Sequence, residues 1–221
     1  MIKKFQRMAK KEKTFWTVGL LTKTFNLTKI PENYALLDDW LAVENNLDTK
    51  DKVALEIMRL PLLKNFNSWN EETLKMKFIA LLLNLVNYDE IKDYQTLFDA
   101  EVYGVVDNIE LKCIADFTVA KTIEDLIENP YFYFHEYKRR KNKADDPIAQ
   151  LLIPSLIAQE MNHDEQPIYG CYVIGEMWYF MIVNGREYAI DKGLNALKSE
   201  ELEKIFLILK KVKNIIIKRL A

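Results

Sequence analysis

Two segments of the chain carry residues that could act together. Asp116 lies in the apolar run CIADFTVA, and Glu136 and Lys138 lie in HEYKRRKNK. On an extended strand, residues i and i+2 share a side, so Glu136 and Lys138 project together while His135 and Tyr137 project the other way. A carboxylate flanked by Ile114, Ala115, Phe117 and Val119 is costly to bury unless it is paired or bound to a cation. Asp116 and Glu136 on adjacent strands could hold Mg²⁺, which keeps several waters and takes up substrate phosphate oxygens. Such an ion acidifies a bound water and stabilises charge on a phosphate in flight. Lys138 could orient the attacking water and screen the developing negative charge. These residue types match phosphodiester hydrolysis. The competing reading of Asp116 is a strand-end carboxylate accepting backbone hydrogen bonds.

An acidic-x-Lys triplet alone is weak, because the chain has others at Asp48/Lys50, Glu90/Lys92 and Glu110/Lys112. The first two fall in helical or linker segments. The third opens a strand beside a turn and reads equally well as a solvated cross-strand pair. Glu136/Lys138 ends an aromatic strand, follows a strand bearing an acid, and leads into a capped helix. Five of the six residues from Lys138 to Lys143 are Lys or Arg. Such a run is usually a solvated loop, but beside a phosphodiesterase site Arg139, Arg140 and Lys141 would grip a nucleic-acid backbone without reading its sequence. The aromatic stripes Tyr131–Phe134 and Trp178–Phe180 read as packing rather than base-stacking platforms.

The elements that must position these residues follow from periodicity. The first third reads as helical with almost no strand pattern. Its helices include one after Pro31 with Tyr34, Leu37, Trp40 and Leu41 on one face, and one from Asp48 to Leu60 with Val53, Ile57 and Leu60 on its apolar face. Ser68-Trp69-Asn70-Glu71 reads as a capping box opening the helix ETLKMKFIALLLNLV, with Glu71 and Glu72 in its first turn. The period then changes to alternation. LFDAEVYGVV and ELKCIADFTVA predict a hairpin about Asp107-Asn108, and YFYFHEYK predicts a third strand. Asp146-Pro147 predicts a helix start, and Pro154 predicts a kink or a break in that helix. PIYGCYVI, MWYFMIV and REYAI predict three more strands, with turns at Gly175-Glu176 and Asn184-Gly185. A closing helix from Ser199 is apolar at Leu202, Ile205, Phe206, Leu209, Val212 and Ile216. The third strand and the strand after Pro167 should run parallel, joined by the helical crossover.

With these residues and elements in place, the sequence resembles the PD-(D/E)XK nuclease superfamily over about residues 67–190. It looks closest to a bacterial group described as similar to the nuclease domain of type I restriction subunit R. The segments WNEETLKMKFIALLLNLV, HEYKRRKNKADDPIAQLLIPSLIAQEMN and PIYGCYVIGEMWYFMIVNGREYAI carry the likeness. The resemblance implies an α/β (α+β) fold with a mixed central sheet and a restriction-endonuclease-like α-β-β-β-α-β core. It implies Asp116 and Glu136 as metal ligands and Lys138 as the catalytic lysine. Glu71 matches the family's additional acidic position, with Glu72 as second choice, and Gln150 resembles a glutamine that some members carry after the lysine strand. The chain departs from the family name at Ala115, where that name has proline. The expected organisation is a helical N-terminal extension over residues 1–66, the nuclease-like core with extra C-terminal strands over 67–190, and a C-terminal helix packing on it over 191–221.

Composition bounds the rest. Lys and Arg number 31 against 33 Asp and Glu, a net charge of -2, which excludes a generally basic coat for nucleic acid. The charge is unevenly placed, however. Acids gather between Asp89 and Glu110, while bases gather at Lys3–Lys13, at Lys138–Lys143 and in the last helix. The basic N-terminus reads as a solvated helix or tail before it reads as a phosphate contact. Two cysteines, Cys113 and Cys171, with two histidines, His135 and His163, exclude a disulfide scaffold and a Cys/His metal centre. No apolar run suggests an export signal or a membrane span, so a cytoplasmic location is expected. The expectation is a nuclease using Mg²⁺ or Mn²⁺ on nucleic acid, DNA foremost. The alternative is a catalytically silent relative that binds nucleic acid or a protein partner. Oligomeric state is open, a homodimer being one option.

Overall fold

Asp107 and Asn108 both adopt left-handed backbone, at φ 48° and 62°. That is the tight turn whose twist matches two flanking strands, and it joins the two longest strands among the described residues. A computed structural model describes residues 16–90, 94–123, 126–127, 133–138 and 146–220, with the backbone alone at 123, 126, 133–138 and 220.

Within those residues the elements run in this order. Helix α1 (Val18–Phe25), strand β1 (Thr28–Lys29), α2 (Ala35–Leu41) and α3 (Thr49–Asn65) come first. A helix then runs as α4 (Glu71–Leu74), a π segment (Lys75–Ile79) and α5 (Ala80–Val86). The hairpin β2 (Gln95–Val106) and β3 (Ile109–Ala120) follows, then the short β4 (Thr122–Ile123) and β5 (Leu126–Ile127), and β6 (Tyr133–Lys138). Helix α6 (Pro147–Asn162) leads to β7 (Ile168–Ile174), β8 (Met177–Asn184), β9 (Glu187–Ile190) and β10 (Leu194–Asn195). Helix α7 (Ser199–Leu220) closes the chain. The fold is α/β.

The described strands build an eight-stranded mixed sheet in the order β1-β9-β8-β7-β6-β3-β2, with β10 also pairing β8. β6 and β7 are parallel, as the crossover through α6 predicts. One face of the sheet is covered by α1 and α6. The other is covered by α2, α3, the α4–α5 helix and α7. The six apolar positions expected on α7 are all buried. Trp40 and Tyr88 tie α2 and the turn after α5 to that helix, donating to the carbonyls of Ile208 and Leu209 at 3.3 and 3.1 Å. Trp178 and Phe180 are core residues, as their stripe predicts.

Four local expectations are corrected. The helix before the hairpin is capped by Asn70, whose side chain accepts from the Thr73 N–H at 2.8 Å. Ser68 instead donates back to Asn65, closing α3. Pro154 does not end α6, which runs unbroken past it with ten buried residues. Burial of that many side chains outweighs the ~3 kcal/mol that an interior proline costs. On α3, Val53, Ile57 and Leu60 are exposed at 54%, 65% and 53%, whereas Leu55 and Leu62 face the core. The first third also supplies a strand, β1, which extends the sheet beside β9.

Candidate active site

Residues two apart on a strand should share a face, yet Ala115 and Phe117 enter different cores. Ala115 packs with Leu111 against the α6 side, while Phe117 and Val119 pack against the α5 and α7 side. β2 turns over at the matching step. Val102 and Val106 face the α6 side, but the Phe98 ring meets Phe117 across the strands at 5.2 Å. The residues at the switch are Asp99 and Asp116. They stand opposite each other between the pairs Phe98↔Phe117 and Ala100↔Ala115, at the step the ladder omits. Asp99 takes φ 51°, a left-handed conformation that Asp tolerates better than most residues and that reverses the alternation.

Two carboxylates facing each other across a strand pair repel. A cation reaches both. Lys75, 8% exposed at the start of the π segment, donates to Asp99 Oδ1 at 2.6 Å, and its Nζ lies 3.6 Å from Asp116 Oδ1. Burial by itself would lower the Lys75 pKa. The hydrogen bond to Asp99 and the charges of Asp116, Asp99 and Glu72 outweigh it, so the pKa rises and the group stays an ammonium. Asp116, 19% exposed, is therefore paired with a cation, one of the two conditions its sequence context required. Neither Lys75 nor Asp99 was singled out by the sequence. The available signals were a lysine four residues after Glu71, one helical turn on, and an acid interrupting LFDAEV.

The β3–β6 ladder ends at Phe117↔His135. Continuing its antiparallel register by one step sets position 116 opposite position 136, where the two strands part. Along β6 and β7, positions 136 and 138 are in register with Tyr172 and Ile174, residues of the α6-side core. Positions 135 and 137 are in register with Cys171 and Val173 of the other core.

Glu71 and Glu72 begin α4 and are exposed. Glu71 stands one helical turn before Lys75, whose N–H bonds the carbonyls of both acids. Gln150 sits in the first turn of α6 behind the Asp146 cap, on the layer that carries Tyr172 and Ile174. Its Oε1 is buried and finds no hydrogen-bond partner. Arg139, Arg140 and Lys141, like the basic residues Lys3–Lys13, lie outside the described residues. Lys112, of the triplet Glu110/Lys112, pairs across the hairpin with Glu101. Among the described residues, no group of three His, Cys, Asp or Glu could hold a metal ion, and no helix is long and apolar enough to cross a membrane.

The cluster is thus a pair of facing aspartates, a buried ammonium between them, and two helix-terminal acids one turn away. The register brings a glutamate position to its edge. All of its anionic donors are hard carboxylate oxygens, and the place already accepts a positive charge. No protein-family model and no curated protein matches the chain.

Proposed function

We propose that this protein is a divalent-metal-dependent nuclease that hydrolyses phosphodiester bonds, DNA being the expected substrate, on a restriction-endonuclease-like core. The observation that carries this reading is the register. It sets position 116 against position 136 where β3 and β6 separate, two positions before Lys138 on the same strand. The element order from α4 through β2, β3, β6 and α6 to β7 accords with the α-β-β-β-α-β core.

In this reading Asp116 and Glu136, assisted by Glu71, would hold Mg²⁺ or Mn²⁺. Hard carboxylate oxygens suit either ion, and the Lys75 ammonium beside Asp116 is a stand-in for its charge. When bound, the ion supplies an acidified water and neutralises charge on the phosphate. Lys138 orients the nucleophilic water and screens the charge that develops on the phosphate oxygens. Arg139, Arg140 and Lys141 follow β6 directly and hold backbone phosphates, which gives affinity without sequence preference. Gln150 offers a polar group from the α6 layer.

The test incubates the protein with linear, circular and single-stranded DNA and with RNA, in Mg²⁺ or Mn²⁺. Wild type is compared with Glu136→Gln and Lys138→Ala. Metal-dependent cleavage that both substitutions remove is the expected result. Metal-independent cleavage, or equal activity in all three proteins, would eliminate the site. A second reading, a nuclease-fold module that binds without cleaving, draws on the ion pair itself, because an ammonium already neutralises Asp116. Binding without cleavage under every condition would select it.

A further inference from the structure

We infer that the Lys75 ammonium is a built-in counter-ion of the metal-free site, which a divalent cation must displace from Asp116 and which Asp99 then retains at the rim. This rests on the metal site proposed above and concerns how that site is loaded. Three observations carry it.

The first is placement. A lysine only 8% exposed is rare, and this one has been brought to two carboxylates on facing strands rather than left to solvent. The second is asymmetry. The ammonium is a full ångström closer to Asp99 than to Asp116, at 2.6 against 3.6 Å. Asp99 is 64% exposed and Asp116 is 19% exposed. The lysine is therefore already held from the solvent side and leans on the inner carboxylate. The third is the left-handed backbone at Asp99, which turns this residue out of the alternation its neighbours follow. A carboxylate placed there can keep the ammonium when the inner one is taken.

The displacement follows from charge. A divalent ion held by Asp116 at about 2 Å would lie within roughly 6 Å of Nζ, closer than the distance over which salt screens. Two cations in a half-buried site repel, and both need the same oxygen atoms. Lys75 has a flexible four-carbon stem, so it can leave Asp116 without unfolding the helix that bears it. In this arrangement Lys75 sets how tightly the site takes metal, and Asp99 acts only through Lys75.

The test measures Mn²⁺ binding by calorimetry for wild type, Lys75→Met, Asp99→Asn and the double variant, with Asp116→Asn as control. Expected are binding about tenfold or more tighter in Lys75→Met, weaker in Asp99→Asn, and an Asp99→Asn effect that vanishes once Lys75 is replaced. If Lys75→Met binds no more tightly than wild type while Asp116→Asn abolishes binding, the counter-ion role is wrong and the metal site stands. If no protein binds Mn²⁺ in a manner that depends on Asp116, the site and the counter-ion fall together. A measurement on wild type covers the case in which the variants misfold. Acylation of Lys75, read by peptide mass spectrometry, should rise several-fold at saturating Mn²⁺. Unchanged reactivity with Mn²⁺ bound would overturn the displacement.

Discussion

Asp99 stands opposite Asp116 across the β2–β3 pair, at the step where both strands exchange one core for the other. Lys75 offsets the repulsion between them. Removing it should leave a largely buried carboxylate without this partner. Lys75→Ala, measured by urea unfolding with a chelator present, should cost about 1–3 kcal/mol, below the full value for a buried pair because Asp99 is mostly exposed. Adding Asp116→Asn to that variant should recover part of the loss, a coupling that independent sites would not show.

Helix α3 offers a second contrast. Its exposed set, Val53, Ile57 and Leu60, has the spacing of an apolar face, and so does the set that enters the core, Leu55 and Leu62 with Met58 beside them. Ile57→Ala should change stability by about 0.5 kcal/mol or less. Leu62→Ala, from a fully buried position, should cost about 2–5 kcal/mol. Thermal unfolding of the two variants separates the faces.

That helix also shows where legibility ends. Alternation and turn chemistry sufficed for the hairpin, because Asp107-Asn108 leaves one register and the strands on either side agree with it. The Asp146-Pro147 start and the single apolar stripe of α7 were equally unambiguous. On α3 two stripes compete, and only the tertiary partner decides. At Asp116 the sequence required either a pairing partner or a bound cation, and the partner beside it is a lysine from another element. The reversal at Asp99 depends on one dihedral angle that any strand pattern averages away. The parallel pairing of β6 with β7 was legible because the helix between them demands a crossover.

Gly104 tests the contact that holds the hairpin on α6. A Cβ there would meet Ile157 Cγ2 at 2.6 Å, inside the distance real side chains keep. Gly104→Ala should destabilise by about 1–3 kcal/mol. In the Gly104→Ala/Ile157→Ala double variant, the clash is gone, so its stability loss should be smaller than the sum of the two single losses. Chemical denaturation of all three completes the cycle.

Asp191 should impose a pH dependence of opposite sign to that of an ion-paired acid. Burial raises its pKa from 3.8 to about 6, against hydrogen bonds from the Phe180 and Gly193 N–H groups that favour the ionised form. Below the unfolded value both states are protonated and nothing is lost. As pH rises from about 4 to about 6 the unfolded chain ionises first, and stability falls by up to about 3 kcal/mol. Asp191→Asn keeps an acceptor for the Phe180 N–H, which now bonds Oδ1 at 2.9 Å, and removes the charge. Its melting temperature relative to wild type should therefore climb across that window and level off above it.

Gln150 separates stability from activity. Its buried Oε1 has no hydrogen-bond partner, a condition that costs about 1–3 kcal/mol relative to a satisfied group. A leucine of similar reach would carry no such cost on a helix this apolar. Gln150→Leu should therefore raise stability by about 1 kcal/mol, read by denaturant unfolding. If the side chain serves the nuclease site, the same substitution should lower metal-dependent cleavage at least tenfold. A variant that is more stable and equally active would make Gln150 a packing residue. One that is more stable and inactive would show that its unpaired carbonyl is aimed at substrate or at a water the substrate brings, because a structural role would lose stability and activity together.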